Sequence, residues 1–184
     1  LDTDTYWIRN PESLANGICD GRAIMFCDEG KISGTRNTSI NRFNEGLANQ
    51  SVEWGELNYE LSPKSRMLNS SIVGLHKNNV EILIEAFRLF SVLEPLVNAH
   101  TVEQFALGET LRVNEFDVKF GSAYTRDWSS IGRKNYATPI LKQFFEKHGE
   151  NDFEKHLANL DSLVIRRPLK TLFKQKLARF RGLN

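Results

Sequence analysis

The sequence predicts an α/β fold, a mixed sheet flanked by helices, from three observations. Apolar strand-like runs at Ala23–Cys27 and Met67–Leu75 alternate with helical runs along the chain. The 184 residues are 40% hydrophobic and 26% charged, which suits one domain with its own core and a tail. Gly, Asn and Ser gather between the runs, with no internal repeat and no low-complexity tract.

Asp2 to Trp7 reads as a strand end entering a turn. Asn10-Pro11-Glu12 has the chemistry of a helix start and predicts a short helix through Leu14 and Ile18, ending near Gly21. Ala23–Cys27 is continuously apolar, as a buried strand is. Asp28 to Arg66 is polar and weakly patterned. It is expected to be a functional loop or lid with one short helix around Asn41–Ala48. Met67–Leu75 predicts a second strand, interrupted by Asn69-Ser70-Ser71. Asn79 is expected to cap a well-buried helix running to Leu93 and stopped by Pro95, and Thr101 to cap another from Val102 to Gly108. Leu111–Phe120 predicts a strand, Gly121–Lys134 a polar aromatic loop, and Ala137–Lys147 and Asp152–Leu160 two helices. Pro168 opens a last helix that reaches nearly to Gly182.

Composition excludes several classes. The net charge of +1 argues against a nucleic-acid partner, which would call for a broad basic excess. Cys19 and Cys27 are too few for a disulfide scaffold, and no zinc spacing surrounds them, so a reducing, cytoplasmic compartment is expected. No apolar run approaches the roughly 20 residues of a membrane span. The first residues are acidic and polar, unlike a secretory signal, and without an initiator Met they predict that an upstream region is missing.

The sharpest chemical signal is Leu1-Asp2-Thr3-Asp4-Thr5-Tyr6-Trp7. Two carboxylates two residues apart at a strand end can both reach one hard divalent cation, and Mg²⁺ or Mn²⁺ so held also takes phosphate oxygens. A bare Asp-x-Asp equally fits a surface turn. The acids and glycine of a calcium-binding EF-hand loop do not follow it. His76, His100, His148 and His156 show no ligand spacing, and Trp7, Trp54 and Trp128 read as packing residues.

Further segments follow that motif in order: the apolar strand ending near Phe26, then Leu68-Asn69-Ser70-Ser71-Ile72-Val73-Gly74-Leu75, a long helix, Glu103-Gln104, and an aromatic, basic loop with Gly132 and Lys134 ahead of a helix. Over residues 1 to 148 this order resembles the C-terminal part of the GT-A nucleotide-sugar transferases, especially glycosyltransferase family eight and bacterial polysaccharide glycosyltransferases. The resemblance implies a hexosyltransferase-like enzyme that moves a sugar from a nucleotide-diphosphate donor to a saccharide or lipid-linked acceptor, assisted by Mn²⁺ or Mg²⁺. The cation would offset charge growing on the leaving diphosphate. On the same basis Asp2 and Asp4 would hold the metal, and Asn69, Ser70 and Ser71 would meet donor-sugar hydroxyls. Glu103 and Gln104 would face the reacting sugar or acceptor as the catalytic candidates, and Gly132 and Lys134 would approach the diphosphate.

The chain departs from the family in two places. Ser71 stands where Gly is usual, and the loop Ala123-Tyr124-Thr125-Arg126-Asp127-Trp128 lacks the usual His ligand. Asp127 could supply an oxygen instead, or Arg126 could replace the metal's positive charge and grip phosphate. Two other readings fit the same residues: a non-catalytic carbohydrate-binding or scaffolding remnant of the fold, and a Mg²⁺-dependent nucleotidyl- or phosphotransferase. Residues 149–184 read as a helical basic tail. Seven Lys or Arg lie between Arg166 and Arg181, around a stripe of Leu169, Leu172, Phe173 and Phe180. Such a helix can lie on an anionic membrane surface, which predicts a peripheral place at the inner membrane face, or it can pack its stripe on the domain.

Overall fold

The computed structural model describes residues 5–35, 37–127, 131–149 and 152–165, with the backbone alone at Asp127 and 131–133. The chain is α/β. Its elements are β1 (Thr5–Trp7), α1 (Glu12–Ala15), β2 (Arg22–Lys31), α2 (Thr38–Leu47), β3 (Ser51–Trp54), β4 (Leu57–Glu60), β5 (Arg66–Leu75), α3 (Glu81–Leu93), α4 (Val102–Val113), β6 (Asp117–Phe120), β7 (Thr125–Asp127), α5 (Ile131–His148) and α6 (Phe153–Ala158). They form two units. One is built from Pro11–Ala123, and the other from residues on either side of that stretch in sequence.

In the first unit β2 is the middle strand of a mixed sheet ordered β5-β2-β6, antiparallel to β5 and parallel to β6. Its apolar run Ala23-Ile24-Met25 is buried on both faces, as a central strand between covering layers requires. Helix α4 packs on β5 at Gly108, where an added Cβ would come within 3.3 Å of Leu68 Cγ. Ala23, Met25, Leu68, Ile82, Ala86, Leu107 and Leu111 fill one core cluster. Phe43 and Phe105, with ring centroids 4.6 Å apart, centre a second one with Ile32, Ile40, Leu89 and Leu93. Each such fully buried side chain contributes about 1.5–3 kcal/mol.

The polar stretch after Asp28 is not a lid. β2 continues through it to Lys31, and α2 follows with the Asn37 side chain capping it by accepting from Ser39 N. The hairpin β3–β4 then turns at Gly55, whose φ of 62° suits glycine. Ile40, Phe43, Trp54 and Tyr59 from this stretch are core residues, and Trp54 Nε1 donates to the Glu85 carbonyl at 3.0 Å. Other boundaries also move. Helix α1 is a single turn, with Pro11 rather than Asn10 at its N-cap position. Asn79 does not cap α3; its side chain accepts from Gly21 N and donates to Asp20. Thr101 stands at the start of α4 without a side-chain cap bond. Helix α4 runs through Gly108 to Val113, so the strand expected from Leu111 is only Asp117–Phe120.

In the second unit β1 and β7 pair antiparallel, with Thr5 opposite Asp127, Tyr6 opposite Arg126 and Trp7 opposite Thr125. The expected aromatic loop therefore contains a strand. Helix α5 begins at Ile131, ahead of Ala137, and carries Pro139 inside it. Asp152 caps α6 by accepting from Lys155 N. Ala137, Leu141, Phe144 and Leu160 are buried here. Among the described residues no helix is long and apolar enough to cross a membrane. The basic tail at 166–181 lies outside the described residues.

Candidate functional site

The polar trio of β5 does not end the strand. The ladder with β2 slips between the pairs Met25–Val73 and Cys27–Asn69, so Phe26 faces the three residues Ser70, Ser71 and Ile72. This bulge re-aims side chains, as bulges beside functional sites do. Asn69 Oδ1 accepts from Ser71 N at 2.9 Å, a local turn that fixes the carboxamide. Asn69 Nδ2 donates to Glu29 Oε1 at 2.8 Å. Gln104, in the first turn of α4 and 7% exposed, donates from Nε2 to Glu29 Oε2 at 3.3 Å and accepts from Ser70 N at 3.4 Å. Each oxygen of the Glu29 carboxylate thus holds one carboxamide, from two elements 35 positions apart in sequence. Glu29 itself is exposed. It sits at a second ladder slip, between Asp28 and Gly30, where Gly30 takes a φ of 115° that side-chain-bearing residues avoid. A carboxylate flanked by oriented carboxamides has both acceptors and donors to offer a hydroxyl-rich ligand.

Glu103 is set apart from this group. One position along the helix turns it about 100° from Gln104, and it lies on the exposed side. Asn69, Ser70, Ser71, Glu103 and Gln104 all belong to the first unit; Arg126, Asp127, Gly132 and Lys134 belong to the second. Arg126 is exposed on β7, and its Nη1 donates to the Thr125 carbonyl at 2.7 Å. The backbone of Asp127 stands opposite Thr5, the residue that follows Asp4 in the chain. Gly132 and Lys134 fall in the opening of α5, whose first turn carries no acidic residue. Asp2 and Asp4 lie outside the described residues, among which no three His, Cys, Asp or Glu side chains gather as metal ligands.

The sequence reading missed Glu109. This carboxylate is 0% exposed on α4 and fully partnered. Tyr59 Oη donates to it at 3.0 Å and Ser65 Oγ at 2.8 Å, while Arg112 grips both oxygens through Nε and Nη2 at 2.8 to 3.1 Å. Burial, and then the Glu109 charge, push the Tyr59 phenol far above its usual range. The hydrogen bond to Glu109 raises Arg112 as well. A cavity of about 190 Å³ opens beside Arg112, walled by Leu68, Phe116, Val118 and Phe120. The signal for this pair was the three-residue spacing of Glu109 and Arg112. It went unread because the helix was expected to stop at Gly108.

Comparison with protein-family models, with curated proteins and with solved structures found no match to the chain.

Proposed function

We propose that the chain is the C-terminal part of a GT-A-type glycosyltransferase that transfers a sugar from a nucleotide-diphosphate donor to a saccharide or lipid-linked acceptor. The observation that carries this reading is the pairing of β1 with β7. It sets the Asp127 backbone across from the strand that continues directly from the Asp-x-Asp motif, although more than a hundred residues separate the two in sequence. The donor set of Asp2, Asp4 and Asp127 is all oxygen, which fits a hard cation such as Mn²⁺ or Mg²⁺. When bound, the cation would supply positive charge against a diphosphate leaving group.

The chain's own groups add to that. The Arg126 guanidinium on β7 is exposed and can meet a phosphate through paired donors. The opening of α5, with Lys134 in it, carries the positive end of a helix dipole, which favours an anion. In the first unit Asn69, Ser70, Gln104 and Glu29 present the donors and acceptors that sugar hydroxyls use. Within the pair Glu103-Gln104 the recognition role falls to Gln104, because Glu103 has no part in that network.

Calorimetry of nucleoside-diphosphate binding tests the proposal. The protein is expected to bind the diphosphate only with Mn²⁺ or Mg²⁺ present, and Asp4→Asn to abolish that binding with the fold intact by circular dichroism. Full binding in excess chelator, or unchanged binding by Asp4→Asn, overturns it.

A further inference from the structure

Helix α3 is apolar nearly all round, and among the described residues the core takes up one side of it. Ile82, Ala86, Leu89 and Leu93 are buried. On the other side Val80, Leu83, Ile84 and Phe87 are 50%, 44%, 47% and 67% exposed. Their spacing of three and four residues makes one continuous stripe. A contiguous stripe of large apolar side chains at this exposure marks an interaction surface.

The borders of the stripe say what covers it. Glu81 and Arg88, both exposed, lie along one border, one heptad apart. Neither is in an ion pair among the described residues. Leu83 and Phe90 lie along the other border, also one heptad apart. When two copies of a helix pair antiparallel, each border faces the same border of its partner; when they pair parallel, each faces the opposite one. The parallel arrangement would set Glu81 and Arg88 against Leu83 and Phe90. The antiparallel arrangement sets Glu81 against Arg88 of the second copy, twice, and Leu83 against Phe90, twice. Ile84 then packs on Phe87 across a two-fold axis, and Val80 closes the ends. The surface is self-complementary in its pattern of charge and apolar residues, as a two-fold interface must be.

We propose that α3 is a self-association surface through which two copies of this chain pair antiparallel, with reciprocal Glu81–Arg88 ion pairs fixing the orientation. This inference is independent of the transferase reading, since none of its residues belongs to the site described above.

Sedimentation velocity of the full chain across roughly 1–200 µM tests it. The chain is expected to form a concentration-dependent dimer, and Phe87→Glu to leave it monomeric. Phe87 is mostly solvent-exposed, so that variant should keep the wild-type circular dichroism spectrum. Arg88→Glu turns two attractions into two repulsions and is expected to weaken the dimer roughly tenfold. Combining it with Glu81→Arg, which reverses both charges together, should restore wild-type affinity. Rescue supports antiparallel self-pairing. A monomer at every concentration overturns the proposal, as does a dimer indifferent to Phe87→Glu. A double reversal no better than Arg88→Glu alone also overturns it. So does a monomer that binds phosphatidylcholine vesicles through Phe87, which would assign the stripe to a lipid surface.

Discussion

Helix α4 serves two carboxylates in opposite ways. At its middle Glu109 is sealed from solvent and accepts from Tyr59, Ser65 and Arg112. At its start Gln104 reaches out to Glu29, which is exposed and holds only carboxamides. A buried charge is tolerable only when every lone pair is used, and the result is a group with nothing left for a ligand. An exposed carboxylate keeps its hydration and its spare lone pairs, and the amides it orients keep spare donors. Both networks tie α4 to strands of the same unit, but only the second can exchange a protein or water partner for a substrate at little cost.

The contrast predicts a graded series. Glu109→Leu strands a buried phenol and hydroxyl and a partly exposed guanidinium, and should destabilise the protein by about 2–4 kcal/mol in urea unfolding. A loss under about 1 kcal/mol would erase the distinction. Tyr59→Phe removes one hydrogen bond and should cost about 1–2 kcal/mol at pH 8. Its pH dependence is more telling. The phenol's pKa is raised on folding, so the stabilisation it gives is fully present below its ordinary value near 10 and falls away as pH rises above it. Wild type should therefore lose about 1.4 kcal/mol per pH unit above pH 10 from this group alone, a slope that Tyr59→Phe lacks. Unfolding titrations at pH 8, 10 and 11 would show equal slopes if the phenol were not held neutral.

The smallest stability effects belong to the open network. Gln104→Ala should cost about 1 kcal/mol, and Glu29→Gln within about 0.5 kcal/mol. If the proposed transferase reading holds, Gln104→Ala lowers turnover more than donor affinity, because its partner is the reacting sugar rather than the diphosphate. Stability losses matching that of Glu109→Leu, with turnover unchanged, would reassign Gln104 to structure.

Strand cores and long apolar helices were legible in the sequence, because burial writes itself as runs and periods. Ala23–Cys27 and the helix ending at Leu93 needed nothing more. The stretch from Asp28 to Arg66 was misread for a physical reason: its core residues are spaced singly among charges. Val52-Glu53-Trp54-Gly55-Glu56-Leu57-Asn58-Tyr59 alternates as a hairpin does, yet its low mean hydropathy reads as a loop. Gly108 has the sequence mark of a helix end, whereas it is the point where α4 comes close to Leu68, an effect of tertiary packing. Asn69 and Gln104 stood out in the sequence, and both prove to bond the same carboxylate. Glu29 did not stand out. It follows an apolar run inside Asp28-Glu29-Gly30, and only the ladder slips beside it reveal where it is presented.

The central place of β2 sets the order in which the sheet can close. Its pairing with β5 begins at Lys31 and Arg66, whereas its pairing with β6 joins Arg22 to Asp117, 95 positions away. The longer closure costs about 0.9 kcal/mol more in chain entropy. The β2–β5 ladder is thus expected to form early and the β6 pairing late. During synthesis the middle strand waits with one edge open until residue 120 has emerged. In the finished protein the amides of β6 are expected to exchange with solvent before those of β2, which hydrogen–deuterium exchange would check.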